Sequence, residues 1–144
     1  MTRYAVVALL VLAACAAERH ASPPAPDVVS MAKPLASIHA AVDRAIDAHD
    51  YETARTTLLA ALTPEVEPVE QQDLLQRLAW VELQANALDA AHDHAAGALA
   101  LGHTDALTYG NALVVGRLVA VARGEADRAA SLAAQLRAIP PPSP

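Results

Sequence analysis

The sequence predicts an all-α protein, and three observations carry that prediction. Composition comes first: 54% of residues are hydrophobic, yet only 3% are aromatic and none is Phe. Alanine and leucine therefore do the apolar filling, and they favour helices that pack closely. Second, apolar residues after position 34 recur at helical spacing, as in Leu75, Leu78, Ala79 and Leu83. Third, Pro, Gly and capping residues punctuate the chain at intervals that suit helices of ordinary length. Strand formers are sparse outside the N-terminal run.

That run begins with one basic residue, Arg3, followed by eight apolar residues at 5–12 and the small Ala13 and Ala14. A basic start, a short apolar core and small residues at its end define a secretory signal peptide, residues 1–14. Eight residues are too few to span a bilayer, which takes about 20. The single cysteine, Cys15, follows directly, so no intrachain disulfide and no Cys-based metal site can form. These residues alone would also suit an ordinary signal peptide cut after Ala14 or Ala17. The junction Leu12-Ala13-Ala14-Cys15 resembles the bacterial lipobox, an aliphatic residue and two small ones before a cysteine. The resemblance implies cleavage between Ala14 and Cys15 and acylation of the Cys15 thiol. Several acyl chains together anchor a protein stably, at about 0.8 kcal/mol per buried CH₂. Ala16 stands where an Asp often signals inner-membrane retention. The resemblance thus implies an outer-membrane anchor facing the periplasm.

Residues 15–34 read as a linker. Pro23, Pro24, Pro26 and Pro34 stand among Ala and Ser, and proline fixes φ and removes backbone donors. The nineteen residues 16–34, fully extended at about 3.1 Å each, would reach roughly 60 Å. At the other end Pro140-Pro141-Pro142-Ser143-Pro144 forms a helix stop and a tail, 140–144.

Between them, residues 35–139 read as a helical domain with helices over about 35–48, 51–62, 69–85, 88–101, 105–123 and 126–138. His49-Asp50 separates the first two. Thr63-Pro64 ends the second, and Pro68 precedes the third. Thr104 or Asp105 can cap the fifth, and Gly124 can stop it. On the third helix Gln72, Gln76 and Gln84 fall largely off the apolar stripe, and Glu82 interrupts it. The fifth, apolar from 112 to 122 except for Arg117, reads as a buried central helix.

Three stretches repeat: His49-Asp50-Tyr51-Glu52-Thr53-Ala54, Asn86-Ala87-Leu88-Asp89-Ala90-Ala91 and Gly124-Glu125-Ala126-Asp127-Arg128-Ala129. Their last alanines are 37 and 38 residues apart. Each stretch falls at a turn between two helices, and each resembles the turn and second-helix start of a tetratricopeptide repeat. Leu75, Leu78 and Ala79 resemble the first-helix positions of that family, and Leu58, Ala61, Leu62, Ala95, Ala98, Leu99 and Ala133 the second-helix ones. The resemblance covers about residues 36–138. The period exceeds the family's, and Trp80 is off the family's tryptophan position. It implies three antiparallel helix pairs forming a short tetratricopeptide-like solenoid, with the first helices lining a concave groove. The residues alone also allow a helical bundle without a groove.

Charge bounds the partners. Formal net charge is −6, and loss of residues 1–14 removes one basic residue, leaving nine basic against sixteen acidic. The only lysine is Lys33. Without a basic block, nucleic acid and anionic headgroups are poor partners. On the first helix His39, Asp43 and Asp47 share a stripe and are the candidate groove contacts. Asp89, His92 and Asp93 share a face of the fourth and would need a further ligand such as His103 to hold a metal; a solvated face is the plainer reading. Glu65, Glu67, Glu70 and Asp73 lead into the third helix, where carboxylates complement the helix dipole. Tyr51, Trp80 and Tyr109 suit junction packing. No catalytic grouping, metal site or nucleotide-binding motif emerges, and no cofactor is implied beyond covalent lipid on Cys15. The expected function is a non-enzymatic, lipid-anchored envelope adaptor or scaffold for a protein or peptide. The alternative is a structural or stress-related envelope bundle without a repeat groove.

Overall fold

A computed structural model describes residues 35–140. Cys15, the cleavage site at Ala14, the linker and the end of the Pro-rich tail lie outside the described residues. Within them the protein is all-α, with six helices and no strand: α1 Leu35–Asp47, α2 Tyr51–Ala61, α3 Pro68–Gln84, α4 Leu88–Ala100, α5 Ala106–Ala122 and α6 Ala126–Ala138. Local chemistry sets their starts. Pro68 opens α3 from its first position, where its missing N–H and fixed φ cost nothing. The Asp50 carboxylate accepts the Thr53 N–H at 3.0 Å at the head of α2. Asp105 does the same for α5 with Leu107 and Thr108, both at 3.0 Å. Hydrogen bonding with Thr53, from its side chain first and its backbone second, holds the Asp50 carboxyl below the ordinary carboxylate value. Thr108 acts likewise on Asp105.

The three repeated stretches share one backbone conformation. His49, Asn86 and Gly124 all take the left-handed region, with φ of 58°, 59° and 76°. Each turn closes with the same pair of hydrogen bonds. His49 N–H reaches Ile46 O and Asp50 N–H reaches Ala45 O; Asn86 N–H reaches Leu83 O and Ala87 N–H reaches Glu82 O; Gly124 N–H reaches Val121 O and Glu125 N–H reaches Ala120 O. Such bonds satisfy the carbonyls left free at a helix end. The residue that donates the second bond is also the first residue of the next helix's cap: Ala54, Ala91 and Ala129 donate to the carbonyls of Asp50, Ala87 and Glu125. Those three alanines are buried, which lets successive helices approach closely.

Consecutive helices contact one another throughout, and α3 also contacts α5. The core lies in three linked clusters. Val42, Ala54, Leu58, Leu74 and Leu78 join α1, α2 and α3. Ala79, Ala91, Ala95, Val115 and Val119 join α3, α4 and α5. Leu113, Ala120, Ala129 and Leu132 join α5 to α6. Thus α3 and α5 each serve two clusters. Gly116 admits its neighbours: a Cβ there would sit 3.1 Å from Leu99 Cδ1 and 3.5 Å from Leu132 Cδ1.

Two packing expectations are corrected. Gln72, Gln76 and Glu82 are buried, because Gln72 and Glu82 find polar partners on α2, α4 and the loop after α4, and Gln76 finds Asp73 one turn back on α3. Helix α5 is not buried all round; Val114, Leu118 and Val121 are exposed, because no further helix covers that side.

Candidate functional site

The shared turn conformation fixes an alignment of the helices that precede the three turns, α1, α3 and α5. Counting back from His49, Asn86 and Gly124, Asp43 corresponds to Trp80 and Leu118, His39 to Gln76 and Val114, and Ala40 to Arg77 and Val115. One open cleft of about 330 Å³ draws its lining from these helices alone: Asp43 and Ile46 of α1, Asp73, Gln76, Arg77 and Trp80 of α3, and Asn111 and Val115 of α5.

Its polar wall is built between α1 and α3. Arg77 Nη1 donates to Asp43 Oδ1 at 3.2 Å, and Gln76 Nε2 donates to Asp73 Oδ1 at 2.8 Å. The other Asp73 oxygen lies 2.9 Å from His39 Nε2 and 3.3 Å from Arg77 Nε. Neither contact aligns an N–H on the oxygen, and none of the three atoms completes a hydrogen bond. The wall thus combines two directed hydrogen bonds with the Arg77–Asp73 ion pair and an unaligned His39–Asp73 contact. Asp43 is the open member, with 60% of its side chain exposed, against 21% for Asp73. The apolar side is Ile46, Trp80 and Val115.

Of the groove residues expected from the sequence, Asp43 lines the cleft. His39 stands behind it, against Asp73, and Asp47 is exposed and off the lining. The sequence expectation did not include Asp73, Gln76, Arg77, Trp80 or Asn111. Once the turns are aligned, the positions of Asp43 and His39 point to Trp80 and Gln76.

A second polar cluster is internal. Glu82, wholly buried, accepts Arg55 Nε on Oε1 at 3.2 Å, and its Oε2 lies 2.6 Å from His94 Nδ1. It ties α2, α3 and α4 together. By the same alignment Glu82 stands where Ala45 and Ala120 stand in the other units. Both its oxygens are paired, as a buried carboxylate requires. Gln72, also wholly buried, donates from Nε2 to the Ala98 and Gly102 carbonyls, each at 2.8 Å, and accepts from Thr104 Oγ1. It thereby caps the end of α4.

The residues weighed as metal ligands disperse into ion pairs. Asp89 pairs with Arg123, and His92 approaches Arg128 at 3.1 Å and Glu125 at 3.7 Å. The hydrogen bonds that Arg123 donates to Glu125 and then to Asp89 raise its pKa, and the bond accepted from Arg123 lowers that of Glu125. His103 stacks on Tyr109, ring centroids 4.3 Å apart. Among the described residues no group of three or more His, Cys, Asp or Glu could hold a metal ion, and no helix is long and apolar enough to cross a membrane.

No protein-family model, curated protein or solved structure matches the chain.

Proposed function

We propose that this chain is a lipid-anchored protein of the cell envelope, held at the periplasmic face of the outer membrane through Cys15. Its helical domain acts as an adaptor that binds a protein or peptide along α1, α3 and α5. The arrangement proposed is a tetratricopeptide-like stack of three antiparallel pairs. Its work is binding rather than catalysis, with no cofactor beyond the lipid. One observation carries the reading: α1, α3 and α5, the helices that precede the three matching turns, together line one open cleft. The lipobox match at Leu12-Ala13-Ala14-Cys15 supports the anchor. The shared turn conformation supports the repeat.

Two measurements test it. Intact-mass analysis of the mature N-terminus should show cleavage before Cys15 and added acyl mass; an unmodified, titratable thiol would remove the anchor. Mild crosslinking in native membranes should recover a specific partner that a Cys15→Ala chain does not. If it recovers nothing above that control, the adaptor reading gives way to a bundle without a groove.

A further inference from the structure

The cleft face changes character along its length. At the α1 end and in the middle it offers Asp43 and Asp73, with one guanidinium, Arg77, between them. The cleft itself takes Asn111 and Val115 from α5; beside them on that helix Leu118 is in register with Asp43 and Trp80, and Val114 with His39 and Gln76. Leu118 and Val114 are exposed, as are Leu107 and Val121, at 75% and 59%. At about 100° per residue these four fall within roughly 60° of arc on α5, a single stripe. Aliphatic stripes open to water on an otherwise charged domain mark surfaces that another molecule covers.

The charge of the domain restricts what that molecule can be. Residues 35–140 hold fourteen carboxylates and seven arginines. Helix α5 carries one charge, Arg117, and no carboxylate within its own span, so aliphatic groups dominate this part of the face. The polar end holds two carboxylates against one guanidinium, and the 60%-exposed Asp43 lines the same cleft as Trp80. A carboxylate and an indole lining one cleft suit a cationic side chain, which gains from the opposite charge and from an aromatic ring's negative face. Resting on the adaptor reading above, we infer that the face takes a partner segment pairing a Lys or Arg side chain with neighbouring aliphatic residues. The cation sits by Asp43 and Trp80, where it competes with Arg77 for carboxylate, and the aliphatic groups lie on Val114, Leu118 and Val121.

Trp80 is the chain's only tryptophan, so its fluorescence reports the cleft directly. The test uses the acylated full chain in nanodiscs of zwitterionic lipid, with empty nanodiscs as blank. Three end-blocked synthetic peptides of equal length are titrated: one with an Arg followed by spaced leucines, one with Glu replacing Arg, and one with Ser replacing the leucines. The Arg–Leu peptide should bind about tenfold more tightly than either other and weaken as salt rises. Asp43→Asn should weaken it about threefold, and Leu118→Ser about fivefold. Asp127→Asn, on exposed α6 surface, should change nothing; circular dichroism verifies that each variant is folded. Equal binding of the Arg and Glu peptides overturns the inference, as does no Trp80 response up to about 1 mM peptide. A dimer that Leu118→Ser dissociates, without a peptide response, assigns the face to a second copy and also overturns it. A membrane partner still recovered by crosslinking in either case leaves the adaptor reading standing.

Discussion

Replacing Arg55 with alanine should destabilise the domain more than replacing Glu82, although Glu82 is the buried member of the pair. The Glu82 side chain is 0% exposed, Arg55 is 41% exposed and His94 is 26% exposed. Removing one partner of a buried ion pair costs about 3–5 kcal/mol when it strands a charge away from water. Arg55→Ala strands the Glu82 carboxylate with one remaining partner, His94. Discounting for that partner and for the open side of Arg55 leaves about 2–3 kcal/mol. Glu82→Ala removes the desolvated charge itself, and Arg55 and His94 then turn to water. Alanine already occupies the equivalent positions 45 and 120, so the backbone accepts it. What is lost is side-chain packing and two charge-assisted contacts, about 1 kcal/mol net. For a domain of this size the two figures correspond to falls in Tm of roughly 10–20 °C and roughly 4–8 °C. Urea unfolding followed by Trp80 fluorescence and circular dichroism measures both, and the double variant gives the coupling. If Glu82→Ala costs as much as Arg55→Ala or more, the argument from stranded charge is wrong.

Three further outcomes are expected. Gly97→Ala should raise stability by about 0.5–1 kcal/mol, since alanine outdoes glycine in a helix interior and the new Cβ would meet Leu75 Cδ1 at an ordinary 3.6 Å. Gly116→Leu should lower it by about 1–3 kcal/mol, because even a Cβ there reaches Leu99 Cδ1 at 3.1 Å; thermal melts compare the two. At the repeated turns Asn86→Gly should stabilise and Gly124→Ala destabilise, the latter by about 1 kcal/mol, since both positions hold positive φ. As for pH, the Asp50 and Asp105 carboxyls lie below their ordinary 3.8 in the folded chain. The unfolded state therefore takes up protons first on acidification. Their contribution is full above the unfolded value and fades as pH falls through the folded one, between about pH 5 and pH 1. Asp50→Asn, which keeps a capping oxygen, should make the melting temperature less sensitive to acid over that window.

The helices were legible because their punctuation is local. Pro68, Asp105 and Gly124 act through their own backbone geometry, so each could be read from its immediate neighbours. The repeat was legible for the same reason: one turn conformation needs one short run of residues. Burial of polar groups was not. Glu82 meets Arg55 and His94, which are 27 and 12 residues away, and Gln72 meets carbonyls 26 and 30 residues away. A stripe pattern counts such residues as wet because it does not contain their partners. The open side of α5 was missed in the opposite sense. An almost wholly apolar helix suggests burial on every side, yet α5, packed on α3, α4 and α6, leaves Val114, Leu118 and Val121 exposed among the described residues. At the cleft, Asp43 was legible as the outward residue of an amphipathic helix. Asp47, one turn further on, fell outside the lining, and Arg77 and Trp80 emerged only when the turns were superposed.

The central claim is that the α1–α3–α5 face of an anchored chain engages another protein, and residue-resolved photo-crosslinking in native membranes tests it most directly. A photoreactive residue placed singly at positions 43, 114, 118 and 121 should give a discrete partner adduct. The same probe at 127, 130 and 134 of α6 should give none. Adducts of equal yield from both sets, or from the α6 set alone, would contradict the account.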